Sequence, residues 1–305
     1  MHRFVLGAIA LLVTLPSLAA QTKPVRPPIT GIHHVRIYVS DLQKSRAFYS
    51  DILGLPPVGY RCAGTSYSCF SISWGPRQQH IELEQGPSPA PKDWLAEIAF
   101  KTDSVSLMRG FLLAHGVAAG TISKDAYGMQ HFELRDPEGN PIAFIERSGP
   151  FPVDDPGLSH APSTRLIHAG FVVKDIAAEN HFYVDLLGFR PYWHGGFKDT
   201  DTDWYELQVP DGDNWIEYML NISPSADKKE LGIQNHFSLG VRDIHAAEAK
   251  IKANGAASYD GPEVGRDGKW SLDLYDPDGT RVELMEFTPV QKPCCSEYTG
   301  PHPKP

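Results

Sequence analysis

Three histidines and four glutamates recur at matched places along this chain, and together they have the chemistry of a divalent-metal site. His34, His168 and His236 open the apolar segments "HVRIYV", "HAGFVV" and "HFSLGV", and Glu97 stands at the same place in "EIAFKT". Glu82, Glu217 and Glu283 sit within "HIELEQ", "WIEYML" and "RVELMEF", whereas the fourth segment of that kind, "PIAFIE", carries Ala143. Imidazole nitrogen combined with carboxylate oxygen suits ions such as zinc, nickel, manganese, cobalt or iron. Alternation sets the directions: Val282 and Leu284 face one side of a strand, so Glu283 faces the other, and Phe237 and Leu239 oppose His236 by the same parity. In a sheet that curls, both groups enter one cavity. A lone histidine in such a strand is more often a hydrogen-bonded packing residue. Carboxylates repeated in a semi-enclosed space are different, because each costs several kcal/mol unless a cation meets it. His33, His80, His131, His181 and His194 fall outside this register and read as surface or packing residues.

The elements that must position these groups come from an internal repeat. "HHVRIYVSDLQKSRAFYSDILGL" and "IHAGFVVKDIAAENHFYVDLLGF" share His34 with His168, Asp41 with Asp175, Tyr49 with Tyr183 and Gly54 with Gly188, each pair 134 positions apart. Each copy reads as a strand, then an aspartate-capped helix with an apolar stripe, then a glycine stop. A related unit follows each, over residues 97–117 and 236–256, and every helix precedes short strands joined by turns such as "DPEG" and "DPDG". The pattern predicts an α+β chain of four modules of strand, helix and about three strands. Two modules fall in residues 30–147 and two in 165–288, with a Pro- and Gly-rich linker over 148–164 and a proline-rich tail, 289–305, expected to be disordered.

Composition bounds the function. A chain of 305 residues that is 41% apolar and 21% charged is globular and long enough for two ordinary domains. Residues 1–20 have the layout of a secretory signal: Arg3, an apolar run from Phe4 to Leu15, then Pro16 and small residues. Those twelve apolar residues fall short of the ~20 that a spanning helix needs. Cleavage near Ala19 or Ala20, with the mature chain periplasmic or extracellular and without a membrane span, is therefore expected. A formal charge of -9 without a basic cluster argues against nucleic acid and anionic membranes as partners. Four cysteines suit an oxidising compartment. Cys62 and Cys69 flank a plausible hairpin loop, while Cys294 and Cys295 lie in the tail, where an intermolecular bridge is the sharper but less favoured reading.

Taken in order, "HHVRIYVSDLQKSRAFYSDILGL", "HIELEQ", "IHAGFVVKDI", "WIEYML", "QNHFSLGV" and "DPDGTRVELMEF" resemble the vicinal oxygen chelate superfamily, the glyoxalase, bleomycin-resistance and extradiol-dioxygenase group. The resemblance covers residues 30–288. It implies βαβββ modules paired into two cupped, half-barrel mixed sheets with helices outside, each pair able to surround one divalent ion through its first and last strands. If the modules of each half pair, the complete set is His168, Glu217, His236 and Glu283, and the first half offers only His34, Glu82 and Glu97. If module one pairs with module four, the set becomes His34, Glu82, His236 and Glu283.

A two-histidine, one-carboxylate triad with open positions suits ferrous oxygenases. Glu217 as a fourth ligand leaves two positions on a six-coordinate ion, enough for two neighbouring substrate oxygens but none for O2. The residue ten places before Glu283 is Asp273, where extradiol dioxygenases place a tyrosine, so ring cleavage is the less favoured chemistry. Asp273 reads as a polar contact in the cavity or a turn-flanking surface carboxylate. The resemblance implies glyoxalase- or epimerase-like work, lyase or isomerase, with Glu283 or Glu217 as ligand and base by turns around an enediolate. The expected partner is a small molecule with neighbouring oxygens, and the protein a monomer or homodimer. An exported protein has little access to a glutathione thioester. The competing readings are a bleomycin-resistance-like binding protein without turnover and a metal-free scaffold. Of Trp204, Tyr205 and Trp215, one is expected to wall the pocket and the others to pack the core.

Overall fold

The computed structural model describes residues 24–57, 67–73, 78–91, 93–124, 128–146 and 160–305. The expected export signal, Cys62 and most of the linker lie outside them. The first half contains β1 (Ile29–Val39), α1 (Leu42–Ala47, running on as a π turn over Phe48–Ile52), β2 (Tyr67–Ser73) and β3 (Gln79–Gln85). It continues with β4 (Leu95–Thr102), α2 (Val105–Ala114), β5 (Ser123–Lys124), β6 (Gln130–Arg135) and β7 (Pro141–Glu146). The second half repeats this with β8 (Leu166–Val172), α3 (Ile176–Asn180, with a π turn over His181–Leu186), β9 (Arg190–Gly195), β10 (Trp204–Gln208) and β11 (Trp215–Met219). After α4 (Lys228–Gln234) come β12 (His236–Val241), α5 (Ile244–Ala253), β13 (Asp260–Val264), β14 (Trp270–Tyr275) and β15 (Arg281–Glu286). The short α4 was not anticipated, and Asp227 caps it by accepting from the Glu230 N–H at 2.9 Å.

Local chemistry explains the module helices. Asp41, Ser104, Asp175 and Asp243 each accept a hydrogen bond from a first-turn N–H of α1, α2, α3 and α5, satisfying donors that a helix leaves open. Gly54 and Gly188 end the two π turns with φ of +62° and +78°, a backbone conformation that few other residues adopt.

The strands form two curled mixed sheets, ordered β2-β3-β1-β4-β7-β6-β5 and β13-β14-β15-β12-β8-β11-β10-β9. In each module the first strand runs parallel to the last (β1 with β3, β4 with β7, β8 with β11, β12 with β15), and an antiparallel pair of first strands joins the modules within each half. The modules therefore pair one with two and three with four. Val282, Leu284, Phe237 and Leu239 join the main core, as alternation requires.

That core crosses between the halves. Tyr49 stacks on Phe237 with ring centroids 6.4 Å apart and its hydroxyl donates to Asp276 at 3.3 Å. Reciprocally, Tyr183 packs against Phe100 and donates to Asp136 at 3.3 Å. Both aspartates also close their own turns, Asp136 accepting from the Asn140 N–H at 2.7 Å and Asp276 from the Thr280 N–H at 2.9 Å.

The proline-rich tail departs from expectation, since it is laid against β9 rather than disordered. The Thr299 N–H donates to the Tyr192 carbonyl at 3.0 Å, Gln208 donates to the Pro301 carbonyl at 2.9 Å, and the Tyr298 ring lies 4.8 Å from that of Tyr192. Proline removes donors but not acceptors or aromatic surface, and these hold the segment. Cys294 and Cys295 are bonded to each other. Cys69 is disulfide-bonded as well.

Glu179 is fully buried where the halves meet, its Oε1 accepting from the Glu138 N–H at 2.8 Å. Burial first, and the charges of Asp136 and Glu138 after it, push its carboxyl up to about 8. A carboxyl that binds its proton more tightly when folded contributes stability that is fully present below its unfolded pKa and lost as pH rises through the folded one. The unfolding midpoint is thus expected to fall between about pH 5 and pH 8. Glu179→Gln should flatten that fall and stabilise the protein at the upper end by on the order of 2 kcal/mol. Denaturation of both proteins across this range checks it, and parallel profiles would refute it.

Candidate metal centre

Four adjacent strands of the second sheet, in the order β15, β12, β8, β11, each deliver one candidate ligand to a single region: Glu283, His236, His168 and Glu217. His168 Nε2 lies 3.0 Å from His236 Nε2, and Glu217 Oε2 lies 3.2 Å from His236 Nε2 and 3.8 Å from His168 Nε2. Ligand atoms of these three residues all fall within 4.8 Å of one another. Glu283 approaches through His168, with 3.4 Å between Oε2 and Nε2.

Pairing register explains the convergence. Gly170 lies opposite His236 on one side and Glu217 on the other. A Cβ there would sit 2.1 Å from His236 Cε1, so only glycine lets the imidazole lie across β8.

The His236 Nδ1 is 2.8 Å from the Gln234 carbonyl and must donate to it, which leaves Nε2 as a lone pair facing His168, Glu217 and an Arg281 nitrogen at 2.9 Å. An imidazole whose far nitrogen is held by a carbonyl is oriented as metal ligands are. The His168 ring is set by packing, tilted on Trp215 at 4.8 Å. Burial is the main force holding both imidazoles below the usual histidine range, helped by the charge of His236 on His168 and of Arg281 on His236. Both shifts favour the neutral imidazole, the form that binds a metal. Burial also pushes the Glu283 carboxyl up to about 8. Two imidazoles, the Glu217 carboxylate and the Glu283 carboxyl, whose proton a cation would displace, converge on one region and fit a divalent ion.

A cleft of about 350 Å³ opens over Glu217 and Glu283, walled by Trp193, Phe197, Trp204 and Arg281. Trp215 is fully buried and Tyr205 packs against the core, so Trp204 alone of the three anticipated aromatics faces the cleft. Asp273 lines it too, directly across from Glu283 on β14 and 3.5 Å from the Arg281 Nη1, rather than standing at a surface turn.

Residues 31–144 and 165–284 match the Glyoxalase/Bleomycin resistance protein/Dioxygenase superfamily. The chain belongs to this family, the vicinal oxygen chelate group. It is 33% identical over 125 residues to the uncharacterized protein YaeR of Escherichia coli, covering 38% of this chain and 95% of that protein. To the lactoylglutathione lyase of Haemophilus influenzae it is 28% identical over 125 residues, covering 40% of this chain and 92% of the lyase. Homoprotocatechuate 2,3-dioxygenase from Brevibacterium fuscum shares the fold, with a TM-score of 0.64 at 22% identity over 92% of this chain and 85% of the dioxygenase.

Within this vicinal oxygen chelate protein, the alternative set of His34 and Glu82 with His236 and Glu283 is not assembled, because β1 and β3 belong to one sheet and β12 and β15 to the other. His34 Nε2 instead lies 3.0 Å from Glu97 and 3.6 Å from Glu82. The register position that Gly170 holds in the second half is occupied by Arg36, whose guanidinium reaches Glu82 at 2.8 Å and Glu97 at 3.3 Å. Burial alone would raise the Glu82 carboxyl, yet His34, His80 and Arg36 hold it well below the carboxylate range. Ala143 packs with Ala99, Met129 and Ile145 in a small apolar cluster. An arginine and a methyl group thus stand where the second half has Gly170 and Glu283.

Three residues of the second-half site escaped the sequence reading. Arg281, two places before Glu283, shares its face by alternation. Glu206 is buried, makes no hydrogen bond through Oε2, and is pushed well above the carboxylate range by burial. It pairs with Glu217 across β10 and β11, a register readable from the hairpin turn between them. Lys269 is fully buried, its Nζ 4.5 Å from the Trp215 ring centroid and 3.4 Å from Asp267. It has no local sequence signal.

Gly170→Ala should displace the His236 ring, costing about 1–3 kcal/mol of stability and weakening metal binding at least about tenfold. Equilibrium unfolding and zinc competition against a chromophoric chelator measure the two, and unchanged affinity would contradict the role given to Gly170.

Proposed function

We propose that the protein is an exported, divalent-metal-dependent enzyme of glyoxalase or epimerase type, a lyase or isomerase. In this reading it grips a small carbonyl substrate by two neighbouring oxygens and moves a proton at the adjacent carbon. The observation that carries the reading is the meeting of His168, His236 and Glu217, with Glu283 at its edge, below a cleft walled by aromatics. Lactoylglutathione lyases among its relatives support the reaction class.

His168, His236, Glu217 and Glu283 would hold the ion, which supplies Lewis acidity to the substrate oxygens. Glu283 takes or returns the proton. Its burial favours the protonated form up to about pH 8, which makes its carboxylate a stronger base than an exposed one. Arg281, braced by Asp273, presents N–H donors where negative charge would gather on a bound oxygen. Trp193, Phe197 and Trp204 narrow the cleft and limit water. Glu217 beside the two histidines would, as a further ligand, fill a position that oxygen needs, which favours proton transfer over ring cleavage.

Elemental analysis of the mature protein, purified without chelators, is expected to show a bound divalent metal that His236→Ala and Glu283→Ala lose from this site. Retention of the same content in both variants would defeat the assignment. With small α-hydroxycarbonyl compounds in D2O, the protein should exchange the proton adjacent to the carbonyl, and Glu283→Gln should slow exchange by roughly 10²–10⁴-fold. Ligand binding without any exchange would instead identify a binding protein.

A further inference from the structure

The first half holds a second group of histidines that the proton-transfer reading does not use. Between Ile32, opposite Phe100, and His34, opposite Ala99, β1 carries a bulge at His33. Neighbours in a regular strand face opposite sides of a sheet, and a bulge re-aims one of them. The His33 and His34 rings consequently approach to 5.2 Å, and His80 from β3 completes a triangle at 4.7 Å from His33 and 4.8 Å from His34. All three side chains are buried.

The hydrogen bonds decide which nitrogens are offered. His34 Nε2 is 3.0 Å from Glu97 and His80 Nε2 is 2.9 Å from Glu82, so each of these nitrogens carries a proton toward a carboxylate, and in the neutral ring, the form that binds a metal, Nδ1 holds the lone pair. A carboxylate behind the far nitrogen is the arrangement that orients metal-bound histidine. His33 Nδ1 is 2.9 Å from His34 Nδ1, and His33 Nε2 is buried without a hydrogen-bond partner. One ligand nitrogen from each ring lies within 4.8 Å of the others. With metal–nitrogen bonds of 2.0–2.1 Å, two ligands at right angles stand about 2.9 Å apart, the spacing of His33 Nδ1 and His34 Nδ1 once an ion takes the place of the proton between them.

We propose that His33, His34 and His80 form a three-imidazole site for a late first-row divalent cation, separate from the second-half cluster. Its carboxylates, Glu82 and Glu97, act from behind the rings and are bound by Arg36 rather than ligating. The proposal does not rest on the reaction assigned to the second half.

The test starts from tag-free protein carrying His236→Ala and Glu283→Ala, which removes the other cluster. Zinc titration against a chromophoric chelator should still show one equivalent. Adding His33→Asn and His80→Asn should weaken that equivalent at least about 100-fold. Copper(II) bound to the His236→Ala, Glu283→Ala protein should show electron-paramagnetic hyperfine coupling to several nitrogens. This reading stands on its own where the quadruple variant fails to fold. No bound equivalent in the starting protein, an equivalent that survives loss of His33 and His80, or a copper spectrum without nitrogen coupling would each overturn the site, leaving the second-half assignment untouched.

Discussion

Ionisable groups buried on the concave face of a sheet impose the constraint around which this molecule is built. Moving a carboxylate out of water costs several kcal/mol after relaxation, and the cost is recovered only through a counter-charge with good geometry. The parallel pairing of first and last strands brings histidine and glutamate from different parts of the chain side by side. The fold therefore concentrates the very groups that resist concentration, and each half must answer that repulsion.

The halves answer differently from one template. In the first, a guanidinium enters from β1 and binds both glutamates, and the place of the last carboxylate is filled by Ala143 in an apolar cluster. In the second, Gly170 contributes nothing but room, and the imidazole of His236 takes the space. The partner of the first histidine across the parallel pair also differs, His80 opposite His34 but Trp215 opposite His168. One half thus carries three clustered imidazoles with a guanidinium bound to both glutamates, while the other carries an aromatic floor and an open cleft.

Much of this was legible in the chain. The 134-residue repeat, the capping aspartates and strand parity point to four modules and to a face where Glu283 opposes Val282 and Leu284. Module pairing was not legible, because it depends on long-range antiparallel contacts between β1 and β4 and between β8 and β12, whose edges are chemically alike. His33 reads as a surface or packing residue because parity places it opposite His34, and only a bulge reverses that, while His80 lies outside the ligand register, at the place Trp215 takes in the second half. Arg281 at a strand entrance looks like any surface charge until its guanidinium is seen beside His236. The tail misled by composition, since prolines suggest disorder while its tyrosine and carbonyl groups find partners on β9.

The tyrosine exchange between halves carries a topological consequence. Each half lends an aromatic ring and a hydroxyl to the other's DPEG or DPDG turn, so among the described residues the core runs on from one half into the other. Fragments severed at the linker would each lack part of their own interior, and the natural unit of folding is the reunited pair.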